Sequence, residues 1–226
     1  MRAEDWSGVV AYRMNAVIFD LDGVLCDTVS LHLAGWRRIA GELGLPFDPS
    51  LNDRLRGLSR EDSLALVLGP RAAQLSDEQK ADLLRRKNED FLARVAKLSP
   101  RDLYPGVRAL LEDLRRRGVP AALASSSRNA RIVIQQLGVT ELFSVVVDRN
   151  DVDRSKPDPA VLLTAAERLG VQPPECVVIE DGASGVEAAL AAGMRVVGVG
   201  PPQRVGRAHR AYASLAELTA REVLSR

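Results

Sequence analysis

The chain has 226 residues, 46% of them hydrophobic, so it is long and apolar enough to bury a core, and disorder as its main character is excluded. Its 31 basic and 30 acidic residues leave a net charge of +1, which excludes the strong field that would attract nucleic acid or a membrane surface. No apolar run approaches the roughly 18 residues of a membrane span. Cys26 and Cys176 fit no zinc or disulfide pattern, and we predict a cytoplasmic protein without a membrane or nucleic-acid partner.

The first part of the chain contains one strand and a long helical segment. Residues 1–13 include acidic residues and lack a signal-peptide apolar stretch, so we expect a short extension before the fold. A brief apolar run at 15–19 ends in an acidic, glycine-containing loop, which is typical of a buried parallel strand. Residues 30–100 show helical periodicity throughout, and we predict a helical insert there.

The remainder of the chain alternates strands with helices. Four more apolar runs predict strands, at 119–125, 143–148, 176–181 and 194–200. Helices are predicted at 107–117 and 159–169, with Gly118 and Gly170 as terminating glycines. This alternation predicts an α/β fold, a doubly wound parallel-sheet (Rossmann-like) core with an inserted α-helical cap domain. The predicted division is an extension at 1–13, a catalytic core at 14–29 and 101–226, and a cap at 30–100.

An acidic pair follows the first strand. Asp20 and Asp22 stand two residues apart at the start of a loop, where both carboxylates can face one site. There, one carboxylate can bind a hard cation and act as a nucleophile while the other transfers a proton. An ordinary acidic loop or helix cap is the alternative for this pair alone.

Three further polar groups follow later strands. Ser125, in ALASSSRNA, can place a hydroxyl and backbone N–H groups around an anion, or can simply cap a helix. Lys156 supplies a compact cation, although a lysine before proline is usually a solvated loop residue. Glu180 and Asp181 end an apolar strand, where a divalent metal would offset the cost of burying two acids. Because parallel strands share one carboxyl edge, these groups together match the requirements of phosphoryl transfer.

The motifs DLDGV (20–24), ASSS (124–127), SKPDP (155–159) and VIEDGASG (178–185) resemble the four motifs of the haloacid dehalogenase-like superfamily. The resemblance covers nearly the whole chain after Met14. Within the superfamily, His32, Trp36 and the segments RGLSREDSL (56–64), RRKN around Lys87 and LSPRDLYPGV (98–107) are similar to the β-phosphoglucomutase family.

The resemblance implies interconversion of β-glucose 1-phosphate and β-glucose 6-phosphate by a monomeric enzyme, through an aspartyl phosphate and a bound bisphosphate. It implies that Asp20 is the nucleophile, that Asp22 is the acid and base, and that Ser125 and Lys156 hold the phosphoryl group. Mg²⁺ would be bound by Asp20, the backbone carbonyl of Asp22, Glu180 and Asp181. The implied substrate-binding residues are Gly57, Arg60, Ser63, His32, Lys87, Ser127, Arg128 and Asn129.

Several alternatives stay open at this level. A magnesium-dependent sugar-phosphate phosphatase would share every core motif, and a non-catalytic protein would lack one of the chemical residues, all of which are present. Arg60 could form a surface ion pair with Glu61, and Lys87 could belong to a solvated helix face. Trp36 is expected to pack within the cap. Arginine stands at 56 and 128, where the family commonly has lysine, and this change alters hydrogen-bond geometry.

Overall fold

The computed structural model describes residues 14–48, 51–56 and 58–225, and the predicted extension at 1–13 lies outside these ranges. Six strands occur within them: β1 (Ala16–Phe19), β2 (Ala121–Ala124), β3 (Val145–Val147), β4 (Cys176–Glu180), β5 (Arg195–Val199) and β6 (Arg210–Tyr212). The described part of the chain also forms ten α-helices: α1 (Thr28–Glu42), α2 (Leu51–Leu55), α3 (Arg60–Leu68), α4 (Asp77–Val95), α5 (Val107–Arg116), α6 (Ala130–Gln136), α7 (Ala160–Leu169), α8 (Ala183–Ala191), α9 (Pro202–Val205) and α10 (Ala220–Leu224).

The strands form one sheet in the order β3-β2-β1-β4-β5-β6, and all neighbouring pairs are parallel. β1 lies between β2 and β4, with Val17 opposite Ala121 on one side and Val177 on the other. The chain order reverses direction at β1, and ligands of such sheets bind beyond the carboxyl ends at this point. The loops after β1, β2 and β4 therefore meet at one edge.

Helices cover both faces of the sheet. Successive side chains of a strand point to opposite faces, so Val17 and Phe19 join one apolar cluster while Ala16 and Ile18 join another. The first cluster includes residues of α5, α6 and α10, and the second includes residues of α7 and α8. This arrangement confirms the predicted doubly wound α/β fold.

The helical segment between β1 and β2 consists of α1 to α4 and has a small apolar cluster of its own. Trp36 of α1 is 3% exposed and packs there with Leu64 and Leu83, which confirms the expected packing role of Trp36. Phe91 and Val95, in the last turns of α4, instead belong to the larger core cluster beside the sheet. The segment is therefore anchored to the core by apolar contacts at one end.

The predicted strands and helices agree with the structure in type and order, and Gly170 ends α7 in the left-handed conformation with φ +71°. β6 was not predicted, because its three residues include Arg210 and Tyr212 and form no apolar run. None of the helices in the described ranges is long and apolar enough to cross a bilayer. The exact domain boundaries stay a prediction.

Candidate active site

Asp20 lies where β1 ends, at the carboxyl edge of the sheet. Its backbone N–H donates to the carbonyl of Ile179 in β4 (3.0 Å), so the sheet's hydrogen bonding fixes its position. Gly23 then turns the chain with φ +87°, and a Cβ there would overlap the carboxylate of Asp181. Glycine at 23 thus lets the first loop approach the residues that follow β4.

Lys156 joins the two central strands through its ammonium group. Nζ donates to Asp20 Oδ1 (2.7 Å), to Glu180 Oε1 (2.6 Å) and to the carbonyl of Ala124 (3.0 Å). The lysine is 3% exposed, which excludes the alternative of a solvated loop residue. Burial alone would lower the pKa of Lys156, but the Asp20 and Glu180 carboxylates raise it, so the side chain is a fixed cation beside Asp20.

Asp22 occupies a different environment from Asp20. Its carboxylate accepts a hydrogen bond from the hydroxyl of Thr28, and His32 Nε2 lies 3.9 Å from Oδ1. Burial raises the pKa of Asp22 to about 6, and the neighbouring charge of Asp20 adds to the increase. A carboxyl group whose pKa lies near neutrality can both donate and accept a proton, which suits general acid and base catalysis.

Three carboxylates form a buried cluster at this edge. Asp20, Glu180 and Asp181 each offer an oxygen, and these oxygens lie within 4.8 Å of one another. Burial raises the pKa of Glu180 to about 7 and that of Asp181 to about 8, with a further increase from Asp20 and Glu180 respectively. Buried anionic oxygens suit a hard divalent cation, so this donor set fits Mg²⁺. The Asp22 carboxylate is engaged by Thr28 and is not part of the cluster.

Glu180 is held by the start of α8 as well as by Lys156. Its Oε2 accepts from the backbone N–H of Asp181 (3.0 Å) and of Gly182 (3.3 Å). A Cβ at Gly185, in the first turn of α8, would overlap the Glu180 carboxylate. A residue without a side chain is therefore required at position 185 to keep Glu180 against the helix terminus.

The loop after β2 supplies a row of hydroxyl and backbone groups. Ser125 is fully buried, and its Oγ accepts from the N–H of Ser127 (3.1 Å), whose Oγ accepts in turn from the N–H of Asn129 (3.2 Å). The Ser126 hydroxyl is buried without a hydrogen-bond partner. Ser126, Ser127 and Arg128 line the cleft that begins at Asp22.

The cap and the core meet through polar groups on the far side of this cleft. Arg60 Nη2 and Asn129 Nδ2 both donate to the side-chain oxygen of Asn88, at 2.9 and 2.8 Å. Arg128 Nη2 lies 3.2 Å from Glu61 Oε1. The alternative of an ion pair between Arg60 and Glu61 is therefore wrong, since Glu61 pairs with the core residue Arg128 and leaves Arg60 facing the cleft.

His32 of α1 and Lys87 of α4 form a pair within the helical segment. Lys87 Nζ lies 2.5 Å from His32 Nδ1 and 4.8 Å from the centre of the Trp36 ring, and His32 stacks on Phe91 at 4.0 Å. Burial lowers the pKa of Lys87 to about 7 and, together with the Lys87 charge, also lowers the pKa of His32. Lys87 is 3% exposed, so the alternative of a solvated helix face is wrong.

Two adjoining clefts connect these groups. The larger cleft contains His32, Arg60, Ser63, Lys87, Ser127 and Arg128 of the predicted set. The smaller cleft contains Asp20, Glu180 and Asp181, and both clefts share Asp22 and Ser126. Gly57, predicted to shape the pocket, lies outside the described residues.

The structure adds four residues that the sequence analysis did not assign to the site. Arg56 donates to Asp181, Arg204 Nη1 lies 3.5 Å from the same carboxylate, and Asn88 joins Arg60 to Asn129. Arg149, after β3, lines the larger cleft. Arg56 and Asn88 lie in the segments RGLSREDSL and RRKN, and the family resemblance of these segments was the signal in the sequence. The others depend on contacts between distant segments.

Comparison with known proteins agrees with this geometry. Residues 14–193 match the family described as haloacid dehalogenase-like hydrolase. The chain is 41% identical to a β-phosphoglucomutase of Bacillus subtilis over 208 residues, covering 91% of this chain and 92% of that protein. It is 34% identical to a phosphorylated carbohydrates phosphatase of Thermotoga maritima over 215 residues, covering 94% and 97%.

A solved structure of a β-phosphoglucomutase from Clostridium difficile has the same fold, with a TM-score of 0.88 and 33% identity over 91% of this chain and 93% of that one. The sheet order, the acidic cluster after β1 and β4 and the family match all lead to one assignment. This chain belongs to the haloacid dehalogenase-like hydrolase family.

Proposed function

We propose that this enzyme interconverts β-glucose 1-phosphate and β-glucose 6-phosphate. The observation that carries the proposal is the pair of adjoining clefts: the smaller one contains Asp20, the larger one contains the guanidinium groups of Arg60 and Arg128, and Asp22 lines both. A phosphoryl group at Asp20 and a second phosphate at the guanidinium end would both be accommodated. The similarity to β-phosphoglucomutases supports the choice of a sugar phosphate.

Asp20 is the proposed nucleophile. It carries a phosphoryl group at the start of the cycle, and the C6 hydroxyl of β-glucose 1-phosphate attacks that phosphorus while Asp22 takes the hydroxyl proton. The bond between Asp20 and phosphorus breaks, which leaves a bound bisphosphate. After the bisphosphate has turned around, Asp20 attacks the C1 phosphate, and Asp22 returns the proton to the leaving C1 oxygen.

Lys156 and Ser125 hold the transferring phosphoryl group in this proposal. Lys156 is already fixed 2.7 Å from Asp20, so its charge offsets that of the phosphoryl oxygens without a rearrangement of the side chain. Mg²⁺, bound by Asp20, the Asp22 carbonyl, Glu180 and Asp181, would neutralise further oxygen charge. Those carboxylates already face one another, which supports their assignment.

Residues of the cap and of the core position the sugar. Arg60 of the cap, with Ser127, Arg128 and Asn129 of the core, binds the phosphate that is not transferred, and Ser63 with Gly57 shapes the sugar pocket. His32 and Lys87 contact the acid and base region, since His32 lies 3.9 Å from Asp22. We also propose residues 30–100 as the cap and residues 14–29 with 101–226 as the core. A cap that closes over the sheet edge disfavours transfer to water.

The test follows both possible products in one reaction. The protein is incubated with Mg²⁺, β-glucose 1-phosphate and a trace of β-glucose 1,6-bisphosphate, and glucose 6-phosphate and free phosphate are measured together. Glucose 6-phosphate without matching phosphate release is the expected result. Phosphate release with little isomerisation would instead favour a sugar-phosphate phosphatase, a function supported by the similarity to the Thermotoga maritima phosphatase.

The nucleophile has a separate test. Asp20→Asn keeps the size of the side chain but removes the charged oxygen that attacks phosphorus, so turnover should fall by ~10³-fold or more with the fold intact. Circular dichroism reports the fold and the product assay reports turnover. Substantial activity in this variant would move the nucleophile to another residue.

A further inference from the structure

The loop after β3 contributes one side chain to the larger cleft, that of Arg149. Arg149 stands beside Ser127 and Arg128, because its backbone N–H donates to the carbonyl of Ser127 (3.5 Å) and Asn150 Nδ2 donates to the carbonyl of Arg128 (3.0 Å). The loops after β2 and β3 are thereby joined beside the larger cleft, whose lining does not include Asp20.

The Arg149 guanidinium is held in place without neutralisation of its charge. Nη1 donates to the carbonyl of Val152, within the same loop. Nε is buried and has no hydrogen-bond partner. Among the residues that the structure describes, no carboxylate forms an ion pair with Arg149. A buried donor without an acceptor costs free energy, and an arriving anion would remove that cost.

Two other arginines form ion pairs with carboxylates of the loop that contains Arg149. Arg131 lies 2.9 Å from a carboxylate oxygen of Asp151, and Arg154 lies 2.9 Å from one of Asp158. These two side chains are paired and do not line the cleft. Of these three arginines, only Arg149 lines the cleft and has no carboxylate partner among the described residues.

The charges around Arg149 favour an anionic ligand. The described lining of the larger cleft has five cations and two carboxylates: Arg56, Arg60, Lys87, Arg128 and Arg149, with Asp22 and Glu61. Glu61 pairs with Arg128, and Asp22 is engaged by Thr28 at the opposite end. Burial and the Arg128 charge lower the pKa of Arg60, and the Glu61 charge offsets only part of this effect.

We propose that Arg149 binds the non-transferring phosphate of the sugar bisphosphate intermediate and so favours binding of the bisphosphate over inorganic phosphate. The inference rests on the proposed function, because it needs a substrate whose other phosphate lies at Asp20. A guanidinium forms paired hydrogen bonds with phosphate oxygens, which a distal phosphate dianion would accept.

The test measures binding without turnover, in the Asp20→Asn background with Mg²⁺, by isothermal titration calorimetry. The two probes are β-glucose 1,6-bisphosphate and inorganic phosphate. Arg149→Gln should weaken bisphosphate binding by roughly tenfold or more, as expected for the loss of a charged hydrogen bond, and leave phosphate binding nearly unchanged. Arg149→Lys should weaken it less, and this second variant keeps the test valid if the glutamine variant folds poorly.

Arg154→Gln is the matched control, because Arg154 is an exposed arginine of the same loop that pairs with Asp158. It should leave both affinities unchanged. The role of Arg149 would be overturned if Arg149→Gln lost affinity equally for both ligands or lost affinity for neither. It would also be overturned if the wild-type site bound the bisphosphate no better than phosphate.

The product assay separates this inference from the proposed function. If the wild-type enzyme isomerises the sugar phosphate and the Arg149→Gln variant still prefers the bisphosphate, the inference about Arg149 is wrong and the proposed function stands. If the wild-type enzyme only hydrolyses phosphate esters and the Arg149→Gln variant loses the bisphosphate preference, the proposed isomerase function is wrong and the role of Arg149 is supported.

Discussion

The guanidinium of Arg56 donates a hydrogen bond to the carboxylate of Asp181, which joins the segment after α2 to the loop after β4. Arg204 Nη1 lies 3.5 Å from the same oxygen. Asp181 belongs to the acidic cluster that we propose as the Mg²⁺ site. Arg56 and a bound Mg²⁺ would therefore compete for one carboxylate.

Arg56→Gln should bind Mg²⁺ about tenfold more tightly in the absence of substrate, since the metal no longer has to displace a guanidinium from Asp181. The Mg²⁺ dependence of the melting temperature measures this affinity without any turnover. Arg38→Gln is the control, because Arg38 forms an ion pair with Glu42 (3.0 Å) on the cap surface. Unchanged or weaker Mg²⁺ binding in Arg56→Gln would contradict the competition.

Asp22→Asn tests the proton-transfer role. The amide cannot exchange a proton with the sugar oxygen, so turnover of a sugar phosphate should fall by ~10²–10⁴-fold. The loss should be much smaller for 4-nitrophenyl phosphate, whose leaving group departs without protonation. Steady-state rates for the two substrates give the comparison, and equal losses would indicate that Asp22 positions the site instead of transferring a proton.

Lys87 should make stability depend on pH. Burial lowers the pKa of Lys87 from 10.5 to about 7, so between these values the unfolded chain holds a proton that the folded protein has released. The free energy of unfolding should therefore rise with pH above about 7, by at most about 1.4 kcal/mol per pH unit from this group. Below that pH, the folded protein bears the full cost of the buried charge.

Lys87→Met should remove this dependence. Its stability advantage over the wild type should be largest at low pH and should shrink as the pH rises, as measured by urea denaturation between about pH 6 and pH 9. Lys80→Met serves as the control on the same helix, since Lys80 forms only an ion pair with Asp77 at 3.7 Å. A constant difference between Lys87→Met and the wild type would show that Lys87 stays charged.

Gly185→Ala should damage both the fold and the site. The added Cβ would overlap the Glu180 carboxylate, which then loses its contacts with Lys156 and the α8 backbone. We expect a loss of ~1–3 kcal/mol in stability and a large loss of activity. Gly182→Ala is the comparison, since its Cβ would meet only Arg56 Cβ at 3.7 Å. Similar effects in both variants would argue against a specific role for the space at 185.

The sequence predicted the residues that stand at strand ends, and the reason is geometric. Asp20, Ser125 and Glu180 each follow an apolar run, and parallel strands place such positions at one edge. Lys156 was placed at the same edge by the strand pattern, although it lies nine positions after the end of β3. The β6 strand was missed because polar edge strands carry no apolar signal.

The sequence could not predict the contacts between the cap and the core. Asn88, Arg56 and Arg149 are polar residues of a helix or of loops, and periodicity says only that such residues avoid the interior. Which of them meet depends on how the helical segment sits over the sheet edge, since Asn88 and Asn129 are 41 residues apart. Local patterns carry no information about that placement.

The helical segment is attached to the core by two different kinds of contact. Phe91 and Val95 of α4 belong to the apolar core cluster, whereas Asn88 and Arg56 meet the core through hydrogen bonds. Water can replace a lost hydrogen bond but not a lost apolar contact. We therefore expect thermal opening to begin at Arg56 and Asn88, with Phe91 and Val95 the last residues of the segment to leave the core.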